Sequence, residues 1–124
     1  YRVMVQLDLG GNTFASFSVC RVEKRPPVVD VSEYHSCCGE GILPLDGDVV
    51  MHVATATPNG TPPAGIEIFR VPKGTFVALK PGVWHHGPFP VTNRPVNVLI
   101  VLPERAYAND CNVRDIPPAE RVRF

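Results

Sequence analysis

Glu33, His35 and Glu40 lie close together in the stretch EYHSCCGEGILPLDG, residues 33–47, and two adjacent histidines, His85 and His86, lie in GTFVALKPGVWHHG, residues 74–87. Residues two apart on an extended chain share a face, so Glu33 and His35 point the same way. The CCG turn can bring Glu40 back to the same space. Neighbouring residues on a strand face opposite ways, so at most one of His85 and His86 looks into an enclosed pocket. Carboxylates and imidazoles converging in this way can hold a divalent ion, or take and give protons. Lys80 adds a cation near the second stretch.

These side chains need a scaffold, and the rest of the sequence describes one built of strands. Fourteen prolines and ten glycines are spread along 124 residues, which argues against long helices. Between them lie short runs rich in Val, Ile, Phe and Thr: YRVMVQLDL, FASFSVCRV, VVMHVATA, GIEIFRV, TFVALK and VNVLIVL. Strands at this spacing predict an antiparallel sandwich or barrel. The length predicts a single domain over residues 1–124 with its own core. Only the tail PPAERVRF hints at a helix, and TPNGTPPAG, residues 57–65, is a turn-rich connection.

Lys plus Arg and Asp plus Glu each total 12, and no basic stripe is present, so nucleic acid is not the expected partner and a small molecule is. No window approaches ~18 uninterrupted apolar residues, so no membrane span is expected. The four cysteines show no metal-ribbon or redox-motif spacing and are read as free thiols of a reducing compartment. A cytoplasmic protein is therefore expected. The chain begins without Met, which suggests that a short N-terminal segment is missing.

Both stretches resemble the two cupin motifs. In the first, His35, Glu40 and Gly47 fall in register, with Glu33 where the first His usually stands. In the second, Gly74, Gly82 and His85 fall in register, with Lys80 in place of Pro and Phe89 in place of Asn. The resemblance implies an all-β fold of the cupin type, a double-stranded β-helix or small jelly-roll barrel. It also implies a divalent metal held by His35, Glu40 and His85; nickel, manganese, iron and zinc all suit such ligands. VWHH, ILPLDG and the tail DCNVRDIPPAERVRF further resemble the ureidoglycolate lyase family, with departures from its usual pattern at Glu40 and Lys80. That resemblance implies cleavage of ureidoglycolate to glyoxylate and urea in allantoin and purine breakdown, by a homodimer.

Within it, Glu33 is the expected base, Lys80 the partner of the substrate carboxylate or the acid, and His86 a rim residue with a direct role. Another small-molecule cupin enzyme, such as a sugar isomerase or an oxygenase, and a non-catalytic module binding a small carboxylate are the alternative readings, since fold alone does not fix function. His52 and Trp84 are read as packing residues, Arg70 and Arg94 as solvated, and Cys111 as a tail anchor.

Overall fold

The computed structural model describes residues 4–124. Eleven strands run as β1 (Ala15–Val22), β2 (Val28–Val29), β3 (Val31–Tyr34), β4 (Glu40–Pro44), β5 (Val49–Val53), β6 (Glu67–Val71), β7 (Val77–Leu79), β8 (Phe89–Pro90), β9 (Val96–Pro103), β10 (Asn112–Asp115) and β11 (Val122–Arg123). A four-residue helix, α1 (Ala106–Asn109), sits between β9 and β10. One sheet has the order β1-β9-β4-β7, and every pairing in it is antiparallel. The opposing wall is assembled from β6-β5-β8, β10-β3 and β11-β2. Two isolated bridges join its pieces: Ala54 pairs with Trp84, and Glu33 pairs with His85.

Alternation along β9 shows why the core forms. Val96, Val98, Ile100 and Leu102 recur every second residue, and all four are buried in the central cluster with Ile42, Val49, Met51, Val71 and Leu79. Each such side chain, fully buried, contributes roughly 1.5–3 kcal/mol. Two prolyl-glycyl or lysyl-glycyl turns then set the loops. Gly82 has φ +80° and follows Pro81, with Val83 N–H donating to Lys80 O at 3.2 Å; Gly74 has φ +79° in the matching turn closed by Thr75 N–H and Pro72 O at 3.0 Å. Both positions favour glycine because other residues are strained at positive φ. Gly47 serves a different need: a Cβ there would lie 2.7 Å from Val96 Cγ2.

Five of the six expected strands form. Of the remaining run, YRVMVQLDL, residues 1–3 fall outside the described residues, and residues 4–9 carry no strand. Asp8 O accepts from Gly39 N–H at 2.7 Å, and Asp8 Oδ1 accepts from Gly10 N–H at 2.8 Å. These contacts turn the segment into a loop, because β-type side chains cannot make a strand without a continuous backbone partner. The tail is not helical beyond one 3-10 turn at Pro118–Glu120, and it ends in β11 against β2. No helix among the described residues is long and apolar enough to cross a membrane.

His52 is a core residue, 1% exposed. Its Nε2 lies 2.9 Å from Ser32 Oγ, whose own hydrogen goes to His85 O at 3.0 Å, so Nε2 donates and Nδ1 is a bare, unpartnered acceptor. Burial, with His86 and His85 nearby, pushes its pKa down to about 3. The unfolded chain would then bind a proton that the folded chain refuses between about pH 6.5 and pH 3. His52 thus contributes stability fully present above pH 6.5 and lost as pH falls towards 3. In urea unfolding of the metal-free protein, the wild type is expected to lose up to about 1.4 kcal/mol per pH unit more than His52→Gln over that window; parallel curves would refute the assignment.

Candidate metal centre

β3 and the loop after it deliver the first candidate donor, β4 the second and the turn after β7 the third. His35 follows the end of β3, held by Gly82 N–H donating to His35 O at 2.7 Å. Glu40 opens β4 opposite Leu79 of β7. His85 is tied to β3 in both directions: Glu33 N–H donates to His85 O at 2.6 Å, and His85 N–H donates to Glu33 O at 2.8 Å. The two sequence motifs, some fifty residues apart, therefore meet across a single bridge.

At their meeting point one oxygen is shared. His35 Nε2 and His85 Nε2 each lie 2.9 Å from Glu40 Oε2, and the three residues are 2%, 2% and 4% exposed. Each imidazole has its other nitrogen pinned to a main-chain oxygen: His35 Nδ1 donates to Asp110 O at 2.7 Å, and His85 Nδ1 donates to Val83 O at 2.8 Å. A carbonyl only accepts, so both Nδ1 atoms carry hydrogen and both Nε2 atoms turn towards the carboxylate. Without a cation, each Nε2 would need a proton of its own, leaving two buried imidazoliums against one carboxylate. A divalent ion meets all three lone pairs at once, and the backbone carbonyls provide the outer support that metal-bound histidines require. The donor set therefore fits a divalent metal, with the three ligand atoms within 4.8 Å of one another.

Burial alone would raise the Glu40 carboxyl, but the bonds with His35 and His85 outweigh it and hold it at about 2. Burial lowers His35, yet its bonds to Glu40 and to the Asp110 carbonyl bring it above the usual range. His86, half-buried, is pushed below its usual value by burial and by the nearby Arg25 and His85, against the pull of Glu33 and Asp30.

Around this centre the expected residues take different places. Glu33 stands beside it, half-buried, with Oε2 accepting from Cys111 Sγ at 3.2 Å. Lys80 does not join it. Its neighbour Leu79 is buried, so strand alternation sends Lys80 to the exposed face, where it lines a groove of about 570 Å³ with Gln6, Asp8 and Pro81. Trp84 is buried, with Nε1–H donating to Thr57 Oγ1 at 2.8 Å and its ring against Tyr34. Arg70 is exposed and pairs with Asp48, as a solvated arginine does.

Three contributors were not assigned a role from sequence. Asp110 accepts from Ser36 N–H and Cys37 N–H, both at 2.7 Å, and so clamps the turn between His35 and Glu40. Tyr107 of α1 brings its ring edge towards His35, centroids 6.3 Å apart. Arg25 donates to the carbonyls of Gly87 and Pro88 and lies 3.7 Å over the Phe89 ring, fixing the chain just after His86. The grouped DCN residues were the one visible signal; a four-residue helix and an isolated arginine give none.

The ureidoglycolate lyase family model matches residues 3–123. The chain belongs to the ureidoglycolate lyase family. No curated protein matches the chain in sequence. Among solved structures it resembles Bacillus subtilis oxalate decarboxylase, described for its Mn(II) centers, with TM-score 0.55 and 16% identity over 82% of this chain and 24% of that one. A second oxalate decarboxylase structure, described for an element that modulates proton-coupled electron transfer, gives TM-score 0.52 and 15% identity over 84% and 24%. The chain thus spans about a quarter of the length of these decarboxylases. At such identity the likeness concerns the fold, which is the cupin-type barrel expected from the two motifs.

Two substitutions separate ligand from support. Glu40→Gln is expected to weaken divalent-metal binding by more than about 100-fold, and Asp110→Ala, which keeps the main-chain carbonyl on His35 Nδ1 and frees only the turn at residues 36 and 37, by less than the roughly 10–100-fold range for losing an outer partner. Titration calorimetry with nickel, manganese or zinc checks both; unchanged affinity in Glu40→Gln would remove this centre.

Proposed function

We propose that this chain is a metal-assisted lyase that cleaves ureidoglycolate to glyoxylate and urea. The observation that carries the reading is the buried His35–Glu40–His85 cluster with Glu33 beside it, in a chain of this family. Ureidoglycolate is a hemiaminal: taking the proton from its hydroxyl lets the carbonyl form while the carbon–nitrogen bond breaks, and the leaving nitrogen needs a proton. A bound divalent ion would acidify that hydroxyl and hold the substrate carboxylate.

His35, Glu40 and His85 hold the ion. Glu33 takes the hydroxyl proton and returns it to the departing urea nitrogen, so the reaction balances without an outside acid. His86, kept neutral, can both accept from and donate to the ureido group at the rim. Lys80, an exposed residue, is left out of this scheme. The enzyme acts in the cytoplasm on a small molecule, as a single-domain homodimer.

Urea release from racemic ureidoglycolate is expected to vanish on chelation and return with one of nickel, manganese, iron or zinc. Glu33→Gln is expected to lower kcat by about 100-fold or more, within the range for losing a general base, while Lys80→Ala leaves it unchanged. No release with any metal would refute the lyase reading. Light scattering is expected to give twice the chain mass; a monomer would remove the dimer.

A further inference from the structure

We propose that Cys111 is a positioning residue that holds the Glu33 carboxylate in its working orientation; the inference rests on the reading of Glu33 as the base. The main chain of Glu33 is fixed by its paired bonds with His85, but those bonds leave the side chain free to rotate. Something else must aim it. In the β3–β10 ladder Val113 lies opposite Glu33 and Asn112 opposite Tyr34, so Cys111, two residues before Val113, projects from the same face as Val113 and reaches Glu33 diagonally.

Its thiol meets Glu33 Oε2 at 3.2 Å, and among the described residues no Lys or Arg forms an ion pair with Glu33. Burial first, and then the carboxylate itself, push the Cys111 thiol up to about 12. It stays protonated and acts as a donor. A thiol carries one hydrogen, and here it is spent on Oε2, which leaves Oε1 free to accept from a substrate. Cys111 is only partly buried, so a reagent that caps its sulfur would remove the donor and crowd Glu33 together.

A double-mutant cycle tests this on the metal-loaded protein. Cys111→Ala is expected to lower kcat for urea release by about tenfold, as loss of a donor to a charged group does, with KM and bound metal unchanged. Cys111→Ser, which restores an O–H donor, should recover kcat to within about threefold, and Cys111→Ala should cost nothing further in a Glu33→Gln background. Equal losses in both backgrounds, or a fully active Cys111→Ala, would overturn the proposal.

A second readout does not depend on activity. Iodoacetamide alkylation of Cys111 at pH 8, followed by peptide mass spectrometry, should be about tenfold faster in Glu33→Gln, because the amide no longer holds the thiol proton. An unchanged rate would overturn the contact itself. Faster alkylation in a protein that releases no urea would uphold the Cys111–Glu33 contact and instead refute the lyase reading.

Discussion

The sharing of Glu40 Oε2 by two buried imidazoles is the constraint on which the rest of the chain depends. A carboxylate that is 4% exposed is costly unless its charge is met, and a cation held here to meet it needs His35 and His85 to arrive from separate loops with their Nε2 atoms facing inwards. Two backbone carbonyls settle that orientation: Asp110 O for His35 and Val83 O for His85. Main-chain atoms cannot rotate away, so the tautomers are fixed by the fold itself. The turn 80–83, the bridge between Glu33 and His85 and the clamp of Asp110 on residues 36 and 37 all act on this one oxygen.

The C-terminal stretch gains its meaning from the same constraint. α1 and β10 look like the end of a chain laid on a finished barrel. They carry the Asp110 carbonyl that directs His35, the Asp110 carboxylate that closes the ligand turn and the Cys111 thiol that meets Glu33. The tail is thereby part of the site's wall, held by the pairing of β10 with β3 and β11 with β2. His52 plays a comparable part from the core side, through Ser32 to the carbonyl of His85.

The residues of the cluster were legible in the sequence because their spacing is tied to turns with strong local signatures. Gly74 and Gly82 sit at positive φ, Gly47 faces Val96 at close range, and each marks where a hairpin must reverse. Strands β1, β5, β6, β7 and β9 were legible as runs rich in Val, Ile, Phe and Thr bounded by turn residues. The short strands β2, β8, β10 and β11 were not, because their two to four residues lie among prolines and charged residues and form no such run. Residues 4–9 misled in the opposite sense: their side chains suit a strand, yet a strand also needs a continuous partner backbone, which no local pattern reveals. Lys80 could not be placed for a related reason. Both faces of TFVALK are apolar, so the sequence hid the parity that the buried Leu79 makes plain.

That parity bears on how an acid substrate could be held. With Lys80 on the outer face and Arg25 committed to the carbonyls of Gly87 and Pro88, two cations near the site motifs are withheld from the cluster. As donors to a divalent ion His35 and His85 would carry no charge of their own, which leaves Glu33 and Glu40 as the carboxylates of the site. Two negative charges side by side repel a carboxylate, and a divalent cation brings the sum to zero. The same ion that satisfies the shared oxygen of Glu40 would then be the countercharge that an anionic substrate meets. Recognition and activation would rest on one centre, and a chain of this size would need no separate arginine clamp.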